Sequence, residues 1–146
     1  MNMNMTNKVL TLLTKILTFP VLNPQKVRGE ETLQCITLAN ELKILSLKNK
    51  LNCVWFHVSN ENPVAKKFVH WSKLQKAMGK TSGAPDYVFL WKGGCACVEM
   101  KSSKGRLSEN QIIFKEWCDF LGIDYIVCYT AQHVLSLLKN RYELIK

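Results

Sequence analysis

Val9, Leu12, Leu13, Ile16 and Leu17 recur at the spacing of one helix face and predict a helix over residues 7–18. Pro20 and Pro24 stop that helix and make a linker. The expected organisation is therefore an N-terminal amphipathic helix and linker over residues 1–25, followed by one domain over residues 26–146. A second helix is expected over residues 30–48, with Leu33, Ile36, Leu38, Leu42 and Leu45 on its apolar positions. Residues 53–58 read as a strand, and residues 64–78 as a basic helix with Phe68, Trp71, Leu74 and Met78 inward. Two strands over residues 87–92 and 95–101 flank Gly93-Gly94, a pair that tolerates a tight hairpin turn. Ser108 and Gln111 have the spacing of a capping box, opening a helix that Gly122 ends. A last strand over residues 124–129 and a closing helix over residues 131–144 complete the pattern. From residue 30 onward the order α-β-α-β-β-α-β-α predicts an α/β fold, a mixed β-sheet flanked by helices.

The hairpin brings chemistry together. With Gly93-Gly94 as the turn, Lys92 pairs with Cys95, Val88 with Glu99 and Asp86 with Lys101. Opposed residues share a sheet face, and so do residues two apart along a strand. Asp86, Glu99 and Lys101 are thus expected on one face at the open end of the hairpin. A Glu-x-Lys is most often a solvated pair on an edge strand. Here the surrounding residues Cys95, Ala96, Cys97, Val98 and Met100 are apolar on both faces, as in a central strand. Charges in such a strand are costly unless paired or liganded, which favours a functional role. Two carboxylates suit Mg²⁺ or Mn²⁺, hard cations that take oxygen ligands. Such a cation beside a lysine is a device for phosphodiester hydrolysis.

Several residue types carry less. None of the six cysteines forms a Cys-x-x-Cys, and His57, His70 and His133 are scattered, so no zinc site is expected. Buried free thiols in a reducing cytoplasm are the expectation. Gly79-Lys80-Thr81 is not a phosphate loop, because Leu74 stands where that motif needs glycine. The N-terminal run is too short and polar to span a membrane, and Lys15 with the neighbouring threonines spoils a signal-peptide pattern. Its expected role is packing, on its own chain or on a second copy.

In order along the chain stand Gly83-Ala84-Pro85-Asp86, then Val98-Glu99-Met100-Lys101, then Gly105-Arg106-Leu107-Ser108-Glu109-Asn110-Gln111. This series resembles the VRR-NUC branch of the PD-(D/E)xK nuclease superfamily, over most of the chain from about residue 30 to about residue 138. The resemblance implies a restriction-endonuclease-like core. It implies that Asp86 and Glu99 bind the metal, helped by the Met100 carbonyl, and that Lys101 assists. It implicates Gln111 in the active-site motif. The family's Glu-x-x-x-Gln pattern falls on Glu30 and Gln34, with Glu31 adjacent, which makes Glu30 a candidate outer ligand.

Charge agrees with a nucleic-acid partner. Lys and Arg number 20 against 11 Asp and Glu, a formal net charge of +9. Lys80, Lys104 and Arg106 flank the catalytic residues in sequence and are candidate DNA contacts. The expected function is a Mg²⁺- or Mn²⁺-dependent DNA endonuclease of the cytoplasm, with branched DNA such as a Holliday junction as substrate and a homodimer as the active species. A repair or restriction-type nuclease on flap or linear duplex is the first rival. A non-catalytic DNA-binding module is the second, though every motif position is filled.

Overall fold

The sheet has four strands, β1 (Val54–His57), β2 (Tyr87–Trp91), β3 (Gly94–Met100) and β4 (Asp124–Cys128), lying side by side in chain order. The structure is a computed structural model that describes residues 6–18, 27–59 and 69–146. β1, β2 and β3 form an antiparallel meander, and β4 joins β3 in parallel. The parallel pair needs a crossover, supplied by helix α4 (Glu109–Phe120). The other helices are α1 (Asn7–Leu17), α2 (Glu30–Leu47), α3 (Val69–Ala77) and α5 (Ala131–Ser136). A mixed sheet flanked by helices is the expected restriction-endonuclease-like arrangement.

Alternation along β3 divides the interior. Val98 and Met100 face one way, into a core with Tyr87, Phe89 and Cys128, closed by Leu38 and Leu42 of α2 and by Val134 of α5. Cys97 and Glu99 face the other way, towards α4. There Cys97, Cys118 and Tyr125 form a second, smaller cluster, with Phe114 and Val127 packed against it. β3 is thus a central strand buried on both faces, as its composition implied.

The hairpin differs in detail from expectation. Trp91 pairs with Gly94 and Leu90 with Cys95, so the turn is Lys92-Gly93, not Gly93-Gly94. The left-handed residue of the turn is Gly93, with φ +91. The register therefore shifts by two residues, and Val88 opposes Cys97 rather than Glu99. Because side chains alternate with a period of two, an even shift keeps every residue on its predicted face. Asp86, Glu99 and Lys101 stay together for that reason.

Three other expectations change. Trp71, Leu74 and Met78 are exposed, not inward, so α3 turns an apolar and basic face to solvent. The remainder of the predicted helix over residues 64–68, Phe68 included, lies outside the described residues, as do Pro20 and Pro24. The closing helix is shorter: α5 passes into a π-helical segment, Leu137–Arg141. Leu144 then leaves helical geometry to fill the core, and Ile145 bridges Leu51. The α1 stripe divides. Leu13 and Leu17 are half-buried, whereas Val9, Leu12 and Ile16 are exposed. No described helix is long and apolar enough to cross a membrane. All six cysteines are free.

Candidate active site

Asp86 enters the site from a loop locked on both sides. Its backbone carbonyl accepts a hydrogen bond from the Val58 N–H at 2.8 Å, tying it to the end of β1. Pro85 is buried before it. The carboxylate then reaches across to the next strand, where Oδ2 accepts from the Met100 N–H at 2.8 Å. That N–H belongs to the residue between Glu99 and Lys101, so a single bond sets Asp86 beside both.

Glu99 is only 1 % exposed. A buried carboxylate needs donors, and Glu99 has three. The Lys101 Nζ stands 2.8 Å from Oε1. The Gln111 Nε2 donates to the same oxygen. The Tyr125 hydroxyl lies 3.4 Å from Oε2. Burial raises the Tyr125 phenol, and the Glu99 charge raises it further, so the hydroxyl stays protonated and donates.

Gln111 links local structure to the site. Its Oε1 accepts from the Ser108 N–H at 2.9 Å, and its own N–H reaches the Ser108 Oγ at 3.4 Å. This is the capping box the sequence foretold. The amide has two ends: the oxygen caps α4, and the nitrogen holds Glu99. A side chain fixed by its own helix start is a rigid donor for a buried carboxylate.

Asp86, Glu99, Lys101 and Gln111 line a cleft of about 520 Å³, together with Glu31 from the first turn of α2 and His57 from the end of β1, while Tyr125 reaches Glu99 from outside that lining. Burial raises the Asp86 carboxyl above its ordinary range; the Met100 N–H, His57 and Lys101 oppose the rise without cancelling it. Burial likewise raises Glu99, partly offset by Lys101 and reinforced by the charge of Asp86. Burial alone would lower Lys101, but the hydrogen bond and charge of Glu99 outweigh it, and its pKa is raised. Lys101 is therefore a charged ammonium. Three carboxylates, Asp86, Glu99 and Glu31, face this one ammonium.

That imbalance fits a divalent cation. The Asp86 Oδ1 accepts no hydrogen bond among the described residues, which leaves a carboxylate oxygen available. Among the described residues no three His, Cys, Asp or Glu side chains stand close enough together to hold a metal ion by themselves, so a cation here would rest on two carboxylates and complete its shell with water. Two carboxylates and a strand carbonyl suit Mg²⁺, which keeps several waters, better than zinc.

The remaining predicted residues have distinct places. Glu30 does not line the cleft; its carboxylate accepts from the Ser103 N–H at 3.1 Å and from the Ser103 Oγ at 3.0 Å, clamping the loop after β3. Glu31, one residue on, is the α2 carboxylate in the cleft. Gln34 caps α5 by accepting from the Ala131 N–H at 2.8 Å. Met100 buries its side chain in the core, so only its backbone can serve the site. Lys104 and Arg106 are exposed on the loop between β3 and α4, and Lys80 is half-buried in the loop before β2; none of the three lines the cleft. Tyr125, on Glu99, and His57, in the cleft lining, have no local signal in the sequence. Tyr125 occupies an apolar strand whose register with β3 is a tertiary fact, and His57 carried no spacing signal.

The VRR-NUC domain family model matches residues 32–132, well over half of the chain. No curated protein and no solved structure matches it. With the Gly-x-Pro-Asp loop, the Glu-x-Lys strand and the capping-box glutamine meeting in one cleft, the chain belongs to the VRR-NUC family, a family of nuclease-type DNA-processing domains.

Proposed function

We propose that the chain is a DNA endonuclease dependent on Mg²⁺ or Mn²⁺, with residues 26–146 as its catalytic unit and branched DNA as its preferred substrate. The observation that carries this is Glu99: a carboxylate 1 % exposed, held by Lys101, Gln111 and Tyr125, beside an Asp86 oxygen with no partner among the described residues. A cleft with surplus negative charge inside a protein of net charge +9 binds a cation within and phosphates around it.

Asp86 and Glu99 are the ligands, with the Met100 carbonyl, and Glu31 is the outer carboxylate that the helix contributes. A divalent cation held by these residues would supply Lewis-acid chemistry to the scissile phosphate and to an attacking water. Lys101 holds that water in line or stabilises the charge that develops on phosphate oxygens. Gln111 keeps Glu99 oriented. His57, which lines the cleft and packs edge-on against Tyr87 beside Asp86, contacts the phosphate backbone. Lys80, Lys104 and Arg106, which do not line the cleft, contribute affinity outside it.

A homodimer is the active species. One chain supplies one site, and paired incision of a four-way junction requires two sites related by a two-fold axis. Two exposed apolar surfaces favour self-association: Val9, Leu12 and Ile16 on α1, and Ile113, Trp117 and Phe120 on α4. The test is cleavage of matched linear, flap and four-way substrates with and without Mg²⁺. Symmetric paired nicks in the four-way substrate support the proposal. Metal-dependent cutting confined to flaps or linear duplex would replace it with the repair-type activity, and binding without cutting would leave a DNA-binding module.

A further inference from the structure

Glu99 has about four lone pairs to offer, two on each oxygen. Oε1 receives Lys101 at 2.8 Å and also receives Gln111, which fills it. Oε2 faces only the Tyr125 hydroxyl, at 3.4 Å. One lone pair is left, and it lies on the oxygen that Tyr125 touches. We infer that Tyr125 is a positioning residue for cation binding: its hydroxyl fixes Oε2 so that Glu99 offers a divalent cation one oxygen in one direction. This rests on Glu99 being a metal ligand, as proposed above.

Three features favour this over a packing role. Tyr125 is 5 % exposed, and its ring sits in the small cluster with Cys97 and Cys118, 6.1 Å from the Phe114 ring at 48°. The ring is thus immobilised from the α4 side, and the hydroxyl is delivered to a fixed point. Tyr125 also pairs with Cys97, two residues before Glu99 on the parallel neighbour strand, so backbone and side chain approach from the same direction. Finally, Lys101 and Gln111 bind the other oxygen. Removing the Tyr125 hydroxyl therefore frees Oε2 to swing about the Oε1 anchor, while the charge and the fold stay unchanged.

A hydrogen-bond partner that orients a metal ligand is worth about 10–100-fold in metal affinity. The experiment is Mn²⁺ binding to the full chain without DNA, by titration calorimetry, on wild type, Tyr125→Phe, Tyr125→Leu and Glu99→Ala. Tyr125→Phe keeps the ring and should unfold at close to the wild-type temperature, yet bind Mn²⁺ about 10–100-fold more weakly. Its cleavage should then return to near the wild-type plateau at proportionally higher Mn²⁺. Tyr125→Leu removes the ring as well and should add a loss of thermal stability. Wild-type Mn²⁺ affinity in Tyr125→Phe overturns the inference, and so does lost cleavage that raised Mn²⁺ does not restore. Normal affinity in Tyr125→Phe with none in Glu99→Ala leaves Glu99 a ligand and Tyr125 a packing residue. Normal affinity in Glu99→Ala shows instead that Glu99 is no ligand, and both statements fall.

Discussion

Replacing Gly83 by alanine tests whether the Asp86 loop must touch α4 for cleavage. A Cβ on Gly83 would stand 2.2 Å from the Asn110 carbonyl oxygen and 2.8 Å from the Gln111 nitrogen. Ordinary contact begins at 3.4 Å, so the loop and the first turn of α4 would have to part by about 1.2 Å. Both are backbone, and neither has a flexible end to move aside. Asp86 rides on one partner and Gln111 on the other, so the separation reaches both carboxylates. A misplacement of about 1 Å costs on the order of 100-fold in rate. The φ of +80 adds about 1–2 kcal/mol for any residue with a Cβ. Gly93 is the matched control: its φ is +91, but a Cβ there meets nothing within 4 Å. Gly93→Ala should therefore lose about 1–2 kcal/mol of stability and keep its cleavage rate. Gly83→Ala should lose more stability and about 100-fold in single-turnover rate at a temperature where both variants are folded. Urea unfolding and single-turnover cleavage on one substrate decide this. Equal rates in the two variants would refute the coupling of loop to helix.

Lys101→Arg keeps the charge but replaces a compact ammonium with a planar group, and its single-turnover rate should fall nearly as far as that of Lys101→Ala; near-normal cleavage by the arginine variant would reduce Lys101 to charge neutralisation. Asp86 has a folded pKa raised above its ordinary 3.8, so the folded state binds more protons, and this group's contribution to stability falls as pH rises from about 3.8 through the folded value. Asp86→Asn should flatten that part of the pH dependence of the urea midpoint in metal-free buffer; an unchanged slope contradicts it. Gln111→Glu keeps the oxygen that caps α4 but sets a carboxylate against Glu99, so cleavage should fall by about 10–100-fold while α4 keeps its helical circular-dichroism signal; wild-type cleavage would remove Gln111 from the site. Trp117→Glu with Phe120→Glu, at positions 56 % and 86 % exposed, should shift sedimentation from dimer to monomer without loss of stability; an unchanged dimer moves the interface to α1 or elsewhere.

The parts legible in the sequence are those fixed by local periodicity. The β3 composition told of a strand buried on both faces, and the Ser108–Gln111 spacing of a capping box; both are present. The hairpin register was off by two because Gly93-Gly94 offers two possible turns, and only packing chooses between them. The faces survived that error because the strand period is two. Trp71, Leu74 and Met78 show the reverse case. Their spacing is that of a core-facing helix, yet they are exposed, because periodicity reports that a helix has an apolar face and not what covers it. Glu30 and Glu31 differ by one position on a helix, about 100° of rotation, and which of them faces the cleft depends on how α2 sits on the sheet. Tyr125 depends on the parallel register of β4 against β3, set through a crossover of more than twenty residues. No local signal reports it.

The most direct measurement is cleavage and binding of one labelled four-way DNA substrate by wild type, Asp86→Ala and Glu99→Ala, with Mg²⁺ and with chelator. A metal-dependent nuclease centred on these carboxylates cuts only as wild type with Mg²⁺. Both variants should lose about 100- to 1000-fold in rate, the scale of a lost electrostatic stabiliser, and should bind the substrate as tightly as wild type or slightly tighter. Cleavage by wild type in chelator, or by either variant at close to the wild-type rate, would contradict the assignment of the active site to Asp86 and Glu99.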